Sequence, residues 1–234
     1  MTVLNIPNSI TCCNLISGCI AIVYALSSNA EMALLWIVIG AIFDFFDGMT
    51  ARLLHVSSPI GKELDSLADV VTFGVAPSMI LFNELNTHAL PETLESARFF
   101  LPFVAFLMAA FSALRLAKFN LDERQAMGFI GLPTPANALF WGSLIVGAPE
   151  VLHTTPWVVF ILITGILLSC WLLICEVPMF ALKFKQWSWK GNEVRYLFIL
   201  SCIPLLLWLH VSGIAAIILW YIILSVIVSK KKEA

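Results

Sequence analysis

Four aspartates stand at short, regular intervals in the first third of the chain: Asp44 and Asp47, then Asp65 and Asp69. Spacings of three and four residues put each pair on one face of a helix. Two such helices side by side could hold divalent cations between them, because hard ions such as Mg²⁺ take oxygen ligands and fill their shells with water and substrate phosphate. The plainer alternative is a set of interfacial acids bathed by headgroups. Against it, Asp44 falls deep enough in an apolar run to need a partner. Gly48 and Ala51 share the surface of the first pair, and small residues let a ligand or a backbone approach closely.

The rest of the chain is mostly hydrocarbon. It is 60% hydrophobic and 12% charged over 234 residues, with a mean hydropathy of +0.95, whereas soluble domains are about 45 to 50% apolar. Long unbroken apolar runs, without the alternation of a transmembrane strand, predict an all-α integral membrane protein. Eight runs serve as expected spans: 10–26, 32–54, 61–85, 99–117, 136–148, 157–177, 196–209 and 213–228. Pro59 biases Ser58 away from helix and predicts a turn before Gly61. A polar loop follows at 86–97, and the prolines and glycines of 128–136 predict a shaped loop. Residues 1–182 read as a six-helix catalytic core; residues 183–234 read as a basic loop, two further helices and a lysine tail. The entry, 1–8, lacks the basic region and cleavage site of a removable signal. The six cysteines lie in apolar runs without metal-type spacing and read as small buried hydrophobes.

Basic residues orient the chain. With both ends inside, Arg52, Lys62, Arg115, Lys118, Arg124, Lys183, Lys185, Lys190, Arg195 and Lys230 to Lys232 fall on the cytoplasmic side, leaving Arg98 alone of thirteen outside. An even number of spans follows, with the aspartates in the cytoplasmic half of an inner membrane.

The full pattern Asp44-x-x-Asp47-Gly48-x-x-Ala51-Arg52, eight residues, Gly61-x-x-x-Asp65-x-x-x-Asp69 resembles the signature of the CDP-alcohol phosphatidyltransferase family at every fixed position. The resemblance implies a membrane-embedded six-helix core, a homodimer, and a cytoplasm-facing site with two divalent cations, Mg²⁺ or Mn²⁺. It implies cleavage of the phosphoanhydride of a CDP-linked lipid with release of CMP. It would make Asp44, Asp47, Asp65 and Asp69 the metal ligands and Asp69 also the general base. Gly48, Ala51, Arg52 and Gly61 would form the nucleotide pocket, and Asn8, Thr11 and Ser58 resemble further contacts to the CDP-lipid. The chemistry suits that inventory. Two cations neutralise an anionic diphosphate, Arg52 adds a charge-assisted fork, and an alcohol needs a carboxylate to take its proton.

Beyond the shared signature, 65–77, Arg115-Leu-Ala-Lys-Phe-Asn120 and Gly131-Leu-Pro-Thr-Pro135 resemble the branch of that family that transfers the phosphatidyl group from CDP-diacylglycerol to L-serine. The resemblance covers 5–136 well and the last three helices only in general hydrophobic character. Serine carries a carboxylate and an ammonium, so its site needs a cation near the metals. Arg115, Asn120, Gly131 and Thr134 are the expected serine contacts, with Lys118 equally explained by the inward bias of basic residues. Two alternatives stay open. One is the same chemistry on glycerol 3-phosphate or inositol phosphate, which a denser basic cluster would favour. The other is a cation carrier or channel, which would place its acids deeper and lack the Gly48-x-x-Ala51-Arg52 pocket. The histidines share no spacing and receive no role, and Glu176 before Pro178 has no sequence-level account.

Overall fold

A computed structural model describes residues 5–56, 58–122, 129–152, 154–180, 188–189 and 192–233. Arg124, Lys183, Lys185 and Lys190, counted above with the inner side, lie outside the described residues, as do Gly128 and His153. The chain is an all-α integral membrane protein. Its helices are α1 (Ile6–Leu26), α2 (Ala30–Leu53), α3 (Pro59–Thr87), α4 (Leu101–Leu121), α5 (Thr134–Gly147), α6 (Val158–Ile174), α7 (Glu193–Leu209) and α8 (Ser212–Glu233). Among the described residues five stretches are long and apolar enough to cross a membrane: α1 to α4 and Ser212–Ser229 of α8. The remaining expected spans correspond to shorter helices, of 14 residues in α5 and 17 in each of α6 and α7.

Local chemistry explains the starts. Asn5 accepts from the Asn8 amide at 2.8 Å and begins α1, and Asn29 accepts from Met32 at 3.0 Å and begins α2. Ser58, extended as Pro59 demands, accepts from the Gly61 amide at 3.0 Å, so α3 begins at Pro59, two residues before the expected start. The glycine- and proline-rich stretch is less irregular than its composition suggested. Pro135 falls in the first turn of α5, where a missing N–H is no loss, so the helix starts at Thr134. Before it, β1 (Phe129–Ile130) pairs antiparallel with β2 (Pro178–Met179) just beyond α6. Gly131, at φ +74°, donates its amide to the Val177 carbonyl at 2.9 Å. A side chain at Gly131 would come within 2.8 Å of the Leu173 carbonyl, so both its backbone angle and its closeness to α6 select glycine.

The helix that carries Asp65 and Asp69 widens into a π-helical turn at Val70–Val75 before continuing to Thr87. Such a turn inserts a residue and re-aims the side chains around it. Here it pushes Thr72 into a notch between α1 and α2, where its hydroxyl donates to the Asn14 carbonyl at 3.0 Å. Gly18 and Gly40 make the notch: a Cβ on Gly18 would lie 2.4 Å from Thr72 Oγ1 and 2.8 Å from its Cα, and one on Gly40 would lie 2.5 Å from Thr72 Cγ2. Gly18→Ala should therefore destabilise the bundle by about 1–3 kcal/mol, read as a thermal midpoint several degrees lower in detergent. Gly48→Ala, whose Cβ would meet nothing within 4 Å, is the control, and equal midpoints for the two variants would refute this crossing.

Further along, Ile37, Phe73, Leu81, Trp141 and Ile166 fill the centre, with Trp141 Nε1 donating to Ser169 at 2.9 Å. At the end of the bundle away from the aspartates, His88 lies buried with Nδ1 3.6 Å from Glu84. Arg98 forks onto both oxygens of Glu95, at 2.7 and 3.0 Å, and holds that carboxyl below its usual range. Cys170 and Cys175 are buried as expected, but Cys19 is exposed on the outward face of α1. That face of a membrane helix meets lipid, which accepts a thiol as readily as a core does. α8 packs on α5 and β2, bringing Ile218 and Tyr221 against Leu132 and Met179.

Candidate active site

Three helices converge on the aspartates. The stripe of α1 that faces inward is polar, with Asn8, Thr11, Asn14 and Ser17 all buried in an otherwise apolar helix. α2 brings Asp44 and Asp47 and α3 brings Asp65 and Asp69. Carboxylate oxygens of Asp44, Asp47 and Asp65 all lie within 4.8 Å of one another. Anions this close in a low-dielectric setting repel strongly unless a cation lies among them. Asp65 Oδ1 is moreover buried with no hydrogen-bond partner, so its lone pairs are uncommitted. The donor set is all oxygen, as Mg²⁺ and Mn²⁺ prefer. The residues therefore fit a divalent cation.

Asp69 stands apart from that trio. It is buried, and Oδ1 accepts from Asn14 Nδ2 at 3.1 Å. On the other side, Thr11 donates to Asp47 Oδ2 at 2.6 Å. α1 thus orients one carboxylate from each pair, which locks their rotamers before any ligand arrives.

All seven residues expected to contact the CDP-lipid, together with Asp47 and Asp65, line one cavity of about 620 Å³. Its floor is open above Gly48, where an added Cβ would meet nothing within 4 Å. Gly61 is tighter, since a Cβ there would sit 3.1 Å from Asn8 Oδ1 and 3.2 Å from Ser58 Oγ. Two residues that sequence reasoning passed over also line this cavity, His55 and Lys62. His55 adopts φ +53° where the chain leaves α2, while the Val56 amide returns to the Ala51 carbonyl at 3.0 Å.

The expected acceptor residues divide. Arg115 is buried, sits over the Phe119 ring at 5.5 Å to its centroid, and is within electrostatic reach of Asp69 and Tyr221. Thr134 is fully buried with no hydrogen-bond partner for its hydroxyl. Asn120 faces α3 instead: its Nδ2 donates to Ser66 at 2.7 Å and its carbonyl accepts from Lys62 Nζ at 2.7 Å, a clamp between α3 and the end of α4. Gly131 commits its amide to Val177 and so shapes the loop before Thr134. Lys118 forms an ion pair with Glu176 and also donates to the Ile174 carbonyl at 3.3 Å, tying α4 to the end of α6. Glu176 thereby gains the structural account that its sequence context withheld.

Asn14 is the functional residue that sequence reasoning missed most plainly. The signal was present: with Asn8 and Thr11 it continues a polar stripe at three-residue spacing along an apolar helix.

The family model for CDP-alcohol phosphatidyltransferase matches residues 4–171. The CDP-diacylglycerol–serine O-phosphatidyltransferase of Bacillus subtilis (strain 168) is 43% identical over 134 residues, 56% of this chain and 69% of that protein. Its namesake in Helicobacter pylori (strain J99) is 38% identical over 135 residues, 57% of this chain and 54% of that protein. That of Methanocaldococcus jannaschii is 37% identical over 152 residues, 65% of this chain and 64% of that protein. The alignments thus span from about half to about two thirds of these relatives' own lengths.

Proposed function

Because this chain belongs to the CDP-alcohol phosphatidyltransferase family, we propose that it is a CDP-diacylglycerol-dependent phosphatidyltransferase whose acceptor is L-serine, giving phosphatidylserine and CMP. The observation that carries the reading is the joining of the three-carboxylate group to the nucleotide-sized cavity through Asp47 and Asp65, which belong to both. Asp44, Asp47, Asp65 and Asp69 would hold two divalent cations, Mg²⁺ or Mn²⁺, which supply charge neutralisation at the diphosphate and at the attacking and leaving oxygens.

The chain's own residues do the rest. Gly48 and Ala51 leave room for the nucleotide, and Arg52 meets its phosphates with a planar pair of N–H groups. Asp69, held by Asn14, takes the proton of the serine hydroxyl as its oxygen bonds to the phosphorus that carries the diacylglycerol. The phosphoanhydride bond to that phosphorus breaks, and CMP leaves with the electron pair. Arg115 offers the positive charge that a serine carboxylate requires, and Thr134 adds a hydroxyl beside it. The names of the curated relatives support serine, and so does the pairing of Lys118 with Glu176, which leaves no dense basic cluster around Arg115 among the described residues. The catalytic part corresponds to residues 1–182, in an inner membrane with the site facing the cytoplasm, and we assign the working form as a homodimer.

The test is CMP release by purified protein with CDP-diacylglycerol and Mn²⁺, offering serine, glycerol 3-phosphate and inositol phosphate in turn. Release with serine alone is expected. Release only with a phosphorylated alcohol would overturn the serine assignment, and none with any alcohol would overturn the enzyme reading.

A further inference from the structure

Four buried polar residues lie on the two helices that pack against the turn following Asp69. Ser112 and Arg115 share one face of α4, and Thr134 and Asn137 share one face of α5. Ser112, Thr134 and Asn137 are 0% exposed and Arg115 is 6% exposed. Five of their polar atoms have no hydrogen-bond partner: Ser112 Oγ, Arg115 Nε, Thr134 Oγ1, and both Nδ2 and Oδ1 of Asn137. Both helices pack against the wide turn of α3, and Ser112 Cβ lies 3.1 Å from the point where a Cβ on Gly74 would stand. Arg115 links the group to the aspartates, being within electrostatic reach of Asp69.

An unmatched buried polar group destabilises a fold. An apolar side chain at either Ser112 or Asn137 would suit a membrane helix better. Orphans scattered through the bundle could be left to isolated waters, but these belong to two helices that pack against the same turn, the one that follows Asp69 directly in the chain. Their chemistry is also selective. An ammonium needs acceptors only and a carboxylate needs donors only. Asn137 Oδ1 and the two hydroxyls supply acceptors; Arg115 and Asn137 Nδ2 supply donors. A phosphorylated alcohol would want a second cation here, and Lys118, three residues along α4 from Arg115, is paired with Glu176.

Resting on the serine reading above, we infer that Ser112 and Asn137 complete the acceptor subsite, with Asn137 Oδ1 and the Ser112 hydroxyl receiving the amino-acid ammonium while Arg115 receives its carboxylate. Neither residue was singled out from the sequence, and neither carries a charge that would have drawn notice. They determine specificity by leaving buried groups unmatched when an acceptor lacks the ammonium.

The test uses the full-length protein with CDP-diacylglycerol and Mn²⁺, measuring KM and kcat for L-serine and for glycerate, which has a hydroxyl where serine has its ammonium. Asn137→Ala should raise the KM for serine about tenfold or more, leave the KM for CDP-diacylglycerol within about twofold, and narrow the preference for serine over glycerate. Ser112→Ala, a smaller change that keeps the helix contact with Gly74, should raise the serine KM in the same direction and serves if Asn137→Ala does not accumulate. Unchanged serine KM and unchanged preference in the variant measured would overturn the assignment while wild-type turnover of serine keeps the underlying reading intact. A wild-type protein inert toward serine yet active with another alcohol would overturn both.

Discussion

Asp69→Asn should slow CMP release from CDP-diacylglycerol and serine by about 10³-fold, within the range that a positioned general base contributes, while CDP-diacylglycerol binding stays measurable. The substitution keeps the side chain's shape, and an asparagine can still present its oxygen to Asn14, which now sits 3.1 Å from Asp69 Oδ1. The fold should therefore hold. An amide has no basic oxygen, so the serine proton loses its acceptor at the moment the new P–O bond forms. Binding should stay measurable because the three carboxylates gathered within 4.8 Å remain to hold cation, and Asp69 is not among the residues lining the nucleotide cavity. Near-normal turnover in the variant, measured by single-turnover CMP release, would move the base role to one of the other three aspartates.

The distinction between Asp69 and the other three was only half legible in the sequence. Asp44, Asp47, Asp65 and Asp69 could be placed on two helix faces from spacing alone, and the structure puts them there. Spacing does not tell which carboxylate is turned toward which neighbour. That depends on α1, whose Asn14 reaches Asp69 and whose Thr11 reaches Asp47, and on the wide turn at Val70–Val75, which no residue pattern announces. The turn becomes intelligible through Gly18 and Gly40, whose missing side chains receive Thr72. A close approach of this kind is written in three separate helices and becomes visible only when they are assembled.

Acceptor recognition was less legible for a similar reason. Charge was the available signal, and it drew attention to Arg115 and Lys118, but Lys118 pairs with Glu176 across 58 positions of chain. Asn120, read from the sequence as an acceptor contact, also donates to Ser66 on α3, a bond that its sequence context does not announce. Ser112 and Asn137 lie within apolar runs, where their burial, and the want of partners that gives them meaning, belong to the packing of α4, α5 and α3 together. The span boundaries were legible to within a few residues because they depend on local hydropathy and capping. The largest shifts are at the end of α8, which runs on to Glu233, and at the start of α1 and the end of α4, at Ile6 and Leu121; the first-turn prolines Pro59 and Pro135 extend their helices by less.

Asp44→Asn should act on a different quantity from Asp69→Asn. Asp44 shares the three-carboxylate group but does not line the nucleotide cavity, where Asp47 and Asp65 do. Its effect on the CDP-lipid must therefore travel through the cation. Removing even an outer-shell partner of a bound metal lowers affinity about 10–100-fold, so loss of one directly coordinating carboxylate should weaken Mn²⁺ binding by about 100-fold or more, measured by calorimetric titration of the detergent-solubilised protein. CDP-diacylglycerol affinity should fall in parallel at low Mn²⁺ and recover in part as Mn²⁺ is raised, because the missing interaction is linked to metal occupancy. Chelation of the wild type should reproduce the low-metal state. Asp69→Asn should recover no turnover as Mn²⁺ is raised, since a missing proton acceptor is not restored by more cation. If raised Mn²⁺ restores neither binding nor turnover in Asp44→Asn while its Mn²⁺ titration matches wild type, then Asp44 does not hold the metal, and the closeness of the three carboxylates must be satisfied by a shared proton instead.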